Sequence, residues 1–181
     1  MANSVSNELP NKLNEAVVRK SLRVQAPIDR AFSVFVEHME AWWPATHHIG
    51  KTPFEAIFVE PRVGGRWYER DVEGNLCEWG KVLAWDPPHR LTLSWHVGPG
   101  HDQPDWRADP DPAKASEVEI RFTAEGPGTT RVELEHSKLE RHGEGYEQLR
   151  ALFDGPGAWG HILALYAIAA DQSQIPPHGG R

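Results

Sequence analysis

Three polar side chains fall where strand alternation turns them toward an apolar interior: Glu69, Glu78 and His136. A carboxyl group in such surroundings has its charged form disfavoured, so its pKa rises into the range useful to a general acid or base. A nearby histidine would complete a proton-transfer pair. The same residues could instead sit solvated at a cavity mouth or bond to one another, because structural networks also perturb titratable groups. The pair His47-His48, in WPATHHIGK, is the most metal-like motif. Adjacent histidines on an extended chain point apart, however, and no nearby Cys, Asp or Glu completes the usual spacing. They are read as exposed loop residues, and no metal is predicted. His101, Asp102, Asp105, Asp109 and Asp111 form an acidic patch whose prolines break any calcium-loop pattern. Cys77 has no basic neighbour in sequence to activate it and is read as a plain thiol. No nucleophile elbow, phosphate loop or dinucleotide fingerprint is present, so no cofactor is predicted.

The eight tryptophans need either a core or a pocket to hold them. Trp67, Trp95 and Trp159 each lie on a face expected to point inward, where a buried indole N–H needs a partner. A pocket wall that orients a ligand and an ordinary core are both consistent with that placement.

The elements that position these residues centre on NLCEWGKVLAWDPPHRLTLSWHV, from Asn75 to Val97. Pro87 and Pro88 lack the N–H that a central strand must donate, so they mark a turn between two strands. Pairing Asp86 with His89 places Gly80, Val82, Ala84, Leu91, Leu93 and Trp95 on one face. It leaves Trp79, Lys81, Leu83, Trp85, Arg90, Thr92, Ser94 and His96 on the other. A slip of one residue would instead bring Trp79 and Trp85 to the side of Leu91 and Trp95, and this alternative stays open. If Trp79 and Trp85 face outward, they offer a homodimer contact.

Around this hairpin, alternation near Val17 to Val24 predicts a strand. Pro27 and Asp29 then open a helix whose apolar stripe is Ile28, Ala31, Phe32, Phe35 and Val36. Further strands are predicted over 51–60 and 65–71, the latter turning Trp67, Glu69 and Asp71 to one face. The stretch from Gly98 to Lys114 reads as a loop. Strands over 116–124 and 130–136 turn Val118, Ile120, Phe122, Val132, Leu134 and His136 inward. Two apolar helices, 145–153 and 158–170, are interrupted by Gly155-Pro156-Gly157. The order predicts an α+β domain over 15–171, an antiparallel sheet closed on its apolar face by helices, between flexible tails at 1–14 and 172–181.

At 181 residues the chain is long enough for one sizeable core. Nineteen basic against twenty-six acidic residues give a net charge of −7, which argues against a nucleic-acid surface. No apolar run reaches the length of a membrane span, and the first residues lack the pattern of a signal peptide. With a single cysteine no intramolecular disulfide can form, so the cytoplasm is the expected compartment.

Residues spread over most of the chain resemble the START-like (SRPBCC) superfamily. Within it they are similar to the family related to the C-terminal domain of the activator of Hsp90 ATPase. They are Ala26-Pro27, Trp42-Trp43-Pro44, Gly64-Gly65-Arg66-Trp67, Gly80-Lys81-Val82, Asp86-Pro87-Pro88, Arg90-Leu91 to Trp95, Thr130 to His136, and Gly157-Ala158-Trp159-Gly160 with Leu163. The resemblance implies a helix-grip fold: a curved antiparallel sheet of about six or seven strands wrapped around a long C-terminal helix. It also implies a cavity between them for a small apolar or aromatic molecule. On that basis the expected ligand-binding residues are Trp43, Trp67, Glu69, Glu78, Gly80, Val82, Leu93, Trp95, Ile120, Phe122, His136, Trp159 and Leu163. A binder is favoured over an enzyme; the alternative is a cyclase or hydrolase using Glu69, Glu78 or His136. A third reading is a protein-interaction module. The eukaryotic activator stimulates its chaperone with the help of a separate N-terminal domain, and 181 residues hold nothing comparable, which weighs against a chaperone partner.

Overall fold

The computed structural model describes residues 16–99 and 105–172. Seven strands form one antiparallel sheet: β1 (Val18–Val24), β2 (Phe54–Val59), β3 (Arg66–Asp71), β4 (Leu76–Asp86), β5 (Arg90–Trp95), β8 (Ser116–Ala124) and β9 (Thr130–Ser137). Their spatial order is β1-β9-β8-β5-β4-β3-β2. A separate two-stranded ribbon pairs β6 (Val97–Pro99) with β7 (Trp106–Ala108), starting at the last residue of the expected hairpin and otherwise inside the stretch the sequence reads as loop. Strands of three residues are too short for alternation to show. Among the described residues the α-helices are α1 (Ile28–Glu37), α2 (Tyr146–Asp154) and α3 (Trp159–Asp171), with short 3-10 turns at Met39–Ala41, Pro112–Lys114 and Leu139–His142. The fold is thus α+β with a helix-grip-like curved sheet. The C-terminal helical segment breaks where Gly155-Pro156-Gly157 is expected to break it. The expected tail at 1–14, and all but the first residue of that at 172–181, lie outside the described residues.

Alternation is realised most regularly in β8 and β9, where Ile120 faces Leu134, Phe122 faces Val132 and Val118 faces His136. All six of these side chains are buried. Helix α1 follows Pro27 and carries Asp29 in its first turn, and its buried residues pack between the sheet and α3. The Tyr166 hydroxyl donates to the Ala31 carbonyl at 2.7 Å, and the Trp42 indole donates to the Val34 carbonyl at 2.9 Å. These bonds tie α1 to its neighbours through groups that would otherwise be buried unpaired.

The central hairpin departs from the expected register in two places. Val82 pairs with Leu93 as predicted. Leu83 is then bulged out, so Ala84 meets Thr92, Trp85 meets Leu91 and Asp86 meets Arg90. This shift, forced by a three-residue turn instead of two, swings Trp85 inward, 5.4 Å from Phe32. A second bulge lies between β3 and β4, where Trp67 pairs with Gly80 and Tyr68 with Glu78. Trp79 is the extra residue. A bulge reverses the facing of what lies beyond it. Trp79 therefore points into the core, whereas Glu78, expected to face inward, lies exposed and pairs with Lys81 at 2.8 Å. The expectation of Trp79 and Trp85 as an outer surface is corrected on the same ground.

Candidate functional site

Five tryptophans, Trp43, Trp79, Trp95, Trp106 and Trp159, line a cavity of about 600 Å³ that opens to one side. They come from the segment just past the 3-10 turn Met39–Ala41, from β4, β5 and β7, and from the start of α3. Val97, Phe153 and Ile162 add apolar wall, and Leu152 stands at the edge. The indoles brace one another in mostly edge-to-face contacts: Trp43 meets Trp79 at 5.4 Å and 87°, and Trp79 meets Trp95 at 5.3 Å and 86°. Each such pair contributes about 0.5–1.5 kcal/mol beyond the area it buries. The result is a rigid aromatic box. Its volume lies within the range of about 300–1,000 Å³ common to small-molecule sites.

Of the residues expected at the site, Trp43, Trp95 and Trp159 line this cavity. Trp67 stands behind the wall, 5.4 Å from Trp79 and 5.5 Å from Trp95, and is buried. Val82, Leu93, Ile120, Phe122 and Leu163 are in the solid core. Gly80 and Glu78 border a different groove on the outer face of the sheet, together with Lys81, Ser94 and His96. A Cβ on Gly80 would sit 1.8 Å from the Ser94 carbonyl oxygen, so glycine is needed there for the two strands to approach.

His136 is fully buried and stacks on Phe153 at 4.9 Å. Its Nδ1 accepts the Trp159 indole N–H at 3.0 Å, and its Nε2 lies 2.7 Å from the Ser116 hydroxyl. An indole can only donate, so Nδ1 carries no proton and Nε2–H donates to Ser116. The Ser116 hydroxyl also lies 2.7 Å from His142 Nε2, linking the two histidines. Burial, with the neighbouring His142 adding to it, holds the His136 pKa well below 6.5. The ring is a neutral structural link in this arrangement, screened from the cavity by Trp95, Phe153 and Trp159.

Glu69 is also buried, and its role is local. One carboxylate oxygen accepts the backbone N–H of Ile49 at 2.8 Å and that of Gly50. Glu69 thereby clasps the loop that carries Thr46, His47, His48 and Ile49, all on the cavity wall. None of Glu69, Glu78 and His136 lines the cavity. Cys77 lies beside Glu69; burial first, then the Glu69 and Asp71 charges, push its thiol pKa up and keep it protonated.

The cavity's polar side chains, Thr46, His47 and His48, gather on one rim. Their neighbours in sequence suggested exposed loop histidines, but both rings are half-buried. His47 Nε2 donates to the Gly157 carbonyl at 2.8 Å, bridging the rim loop to the start of α3. Its Nδ1 lies 3.0 Å from the Thr46 hydroxyl. Trp106, Trp79 and this rim are the parts of the site that sequence reasoning missed. The short ribbon and the bulge leave no periodic signal, and the rim owes its place to Glu69 from twenty residues away.

Residues 25–152 match the family model described as Activator of Hsp90 ATPase homolog 1-like protein. Among solved structures, the chain is similar to the anthrahydroquino-gamma-pyrone synthase Txn09, complexed with SUM. The two are 42% identical over 84% of this chain and 95% of that one, with a TM-score of 0.58. It is also similar to CalC of Micromonospora echinospora, a self-sacrificing resistance protein, at 27% identity over 90% and 99% of the chains and a TM-score of 0.61. Protein NE0264 from Nitrosomonas europaea shares the fold at 18% identity, 88% and 96% coverage and a TM-score of 0.60. The comparison with curated proteins returned no match. Among the described residues no helix is long and apolar enough to cross a membrane.

Proposed function

The chain belongs to the Activator of Hsp90 ATPase homolog 1-like family, and we propose that within it this member binds a flat polycyclic aromatic molecule of the anthraquinone type. The observation that carries this reading is the cavity itself: five indoles around about 600 Å³, with polar groups confined to one rim. Rigid aromatic walls favour a planar guest, because little side-chain freedom is lost on binding and large apolar area is covered. The rim then meets the oxygen atoms at the guest's edge. Identity of 42% with a synthase named for an anthrahydroquinone and a pyrone supports this choice of ligand. The same similarity favours a second reading, in which the bound molecule undergoes ring closure in the cavity.

Titration with 2-hydroxyanthraquinone, followed by intrinsic tryptophan fluorescence, tests the binding reading. Saturable quenching with one molecule per chain is expected. Trp106→Ala, which removes a half-buried wall residue from a short ribbon, should weaken binding about tenfold, or about 1.4 kcal/mol. Absence of saturable quenching in the folded protein overturns the reading.

A further inference from the structure

The rim contains two histidines in opposite chemical situations. His47 has both ring nitrogens engaged, one by the Gly157 carbonyl and one by the Thr46 hydroxyl. His48 has one: its Nδ1 lies 3.1 Å from the Gly50 carbonyl. A carbonyl can only accept, so the neutral His48 ring carries its proton on Nδ1 and presents a bare lone pair at Nε2. Among the described residues Nε2 has no hydrogen-bond partner, and His48 lines the cavity. The ring rests against Phe54 at 6.2 Å. The carbonyl that sets its tautomer belongs to Gly50, whose own N–H is held by Glu69, as is that of Ile49. A buried carboxylate thus fixes the short segment on which the tautomer of His48 depends.

We propose that His48 Nε2 is the base that takes the proton from a phenolic or enolic hydroxyl of the bound aromatic molecule, with Glu69 as its positioning residue. This rests on the cavity reading above and names the group that would act there. In a ring closure, the hydroxyl O–H bond breaks and its proton goes to Nε2. The oxygen forms a C–O bond to an unsaturated carbon conjugated with a ketone, and the displaced pair moves to the ketone oxygen as an enolate. The His48 imidazolium then returns the proton to carbon. The net change is an isomerisation, so no oxidant, reductant or water is consumed. A fixed tautomer and a held backbone are what general-base catalysis requires of its base.

The test uses 2-hydroxyanthraquinone, whose phenolate absorbs at longer wavelength than its phenol. At a pH where the free dye is the phenol, the dye bound to the full chain should show the phenolate band. His48→Gln should still quench tryptophan at saturating dye, with weaker affinity, and lose the band. Glu69→Ala should lose it as well, and Glu69→Gln, which retains a carbonyl oxygen for the two backbone donors, should restore it. Nitrogen-15 chemical shifts of the unliganded protein should give His48 as the Nδ1–H tautomer. Quenching without a phenolate band, a band that survives His48→Gln, or an Nε2–H tautomer overturns the assignment while leaving the binding reading intact. Absence of quenching overturns both.

Discussion

Trp159 donates its indole N–H to Nδ1 of His136 at 3.0 Å, which fixes the tautomer of a ring that burial, with His142 adding to it, holds neutral. With Nδ1 accepting, the folded protein has no place for a second proton on His136. The unfolded chain does, near the ordinary pKa of 6.5. His142 behaves alike, its pKa lowered first by burial and then by His96, with Asp109 opposing. The folded pKa is depressed in both, so below 6.5 the unfolded state binds more protons and is favoured. Stability should be flat above that pH and fall as pH drops beneath it, with a slope of up to about 1.4 kcal/mol per pH unit for each histidine. Urea unfolding at a series of pH values reads this directly. In His136→Gln the slope should drop by one proton's worth; an unchanged slope would mean that the buried ring does protonate.

Trp159→Phe probes the same bond from the other side. It keeps most of the aromatic area and removes the indole donor to Nδ1, leaving that buried acceptor unpaired among the described residues at a cost of about 1–3 kcal/mol. The ring is then free to take the other tautomer, which nitrogen-15 shifts would detect.

The bulge at Trp79 separates two neighbours by burial alone. Glu78 is exposed and its pair with Lys81 is a surface one, so Glu78→Ala should change stability by less than about 0.5 kcal/mol. Trp79→Ala removes a buried indole that touches Trp43, Trp67 and Trp95, and should cost about 3–5 kcal/mol. Thermal or denaturant unfolding of the pair decides it. Equal costs would place both residues on one face and contradict the bulge.

These neighbours also mark where the sequence stops being informative. Alternation is legible in β8 and β9 because nothing interrupts it; Ile120, Phe122, Val132 and Leu134 follow directly. In β4 the period of two is broken at Trp79 and again at Leu83, and a bulge has no residue signature that a single chain displays. Both registers considered for the hairpin are therefore present, one on either side of Leu83. The inward placement of Trp43, Trp95 and Trp159 was legible from helix and strand spacing and from the family resemblance. The rim was not, because His47 is held by Gly157 and the Ile49-Gly50 backbone beside His48 is held by Glu69, contacts over long sequence separations. His136 was legible as an inward polar residue, but its partners Ser116, His142 and Trp159 come from other elements, and only they show that it bonds to the core and not to the cavity.

Gly80→Ala tests the close approach of β4 and β5 at Ser94. The added methyl would lie 1.8 Å from the Ser94 carbonyl oxygen and 2.8 Å from its carbon, backbone atoms that cannot rotate away. Relief requires β4 and β5 to separate, which breaks the bond from Lys81 N–H to the Ser94 hydroxyl. A loss of about 3 kcal/mol or more is expected from such overpacking. Since Trp79 and Trp95 flank this crossing, the surviving folded protein should also show altered tryptophan emission. A neutral substitution would mean that the strands are further apart than described.

Asp71 supplies a second, lower limb to the pH dependence. It closes the turn between β3 and β4, accepting the N–H groups of Glu73 and Asn75, each at 2.9 Å, and the Asn75 side chain at 3.0 Å. The Thr52 hydroxyl beside it, followed by these donors and against the effect of burial, holds its pKa down to about 2, below an ordinary 3.8. A depressed carboxyl pKa contributes stability that is present above 3.8 and lost as pH falls toward 2, the opposite end of the acid range from the histidines. Asp71→Asn should therefore unfold with a weaker dependence on pH below about 4 and an unaltered one between 4 and 6.5. The turn itself discriminates charge from geometry: the amide oxygen of Asn can still accept from the Glu73 and Asn75 backbones, while Asp71→Ala can accept from neither. If Asn and Ala variants lose equal stability at neutral pH, the carboxylate's charge is what matters. If Asn is the milder, the turn geometry carries the larger share.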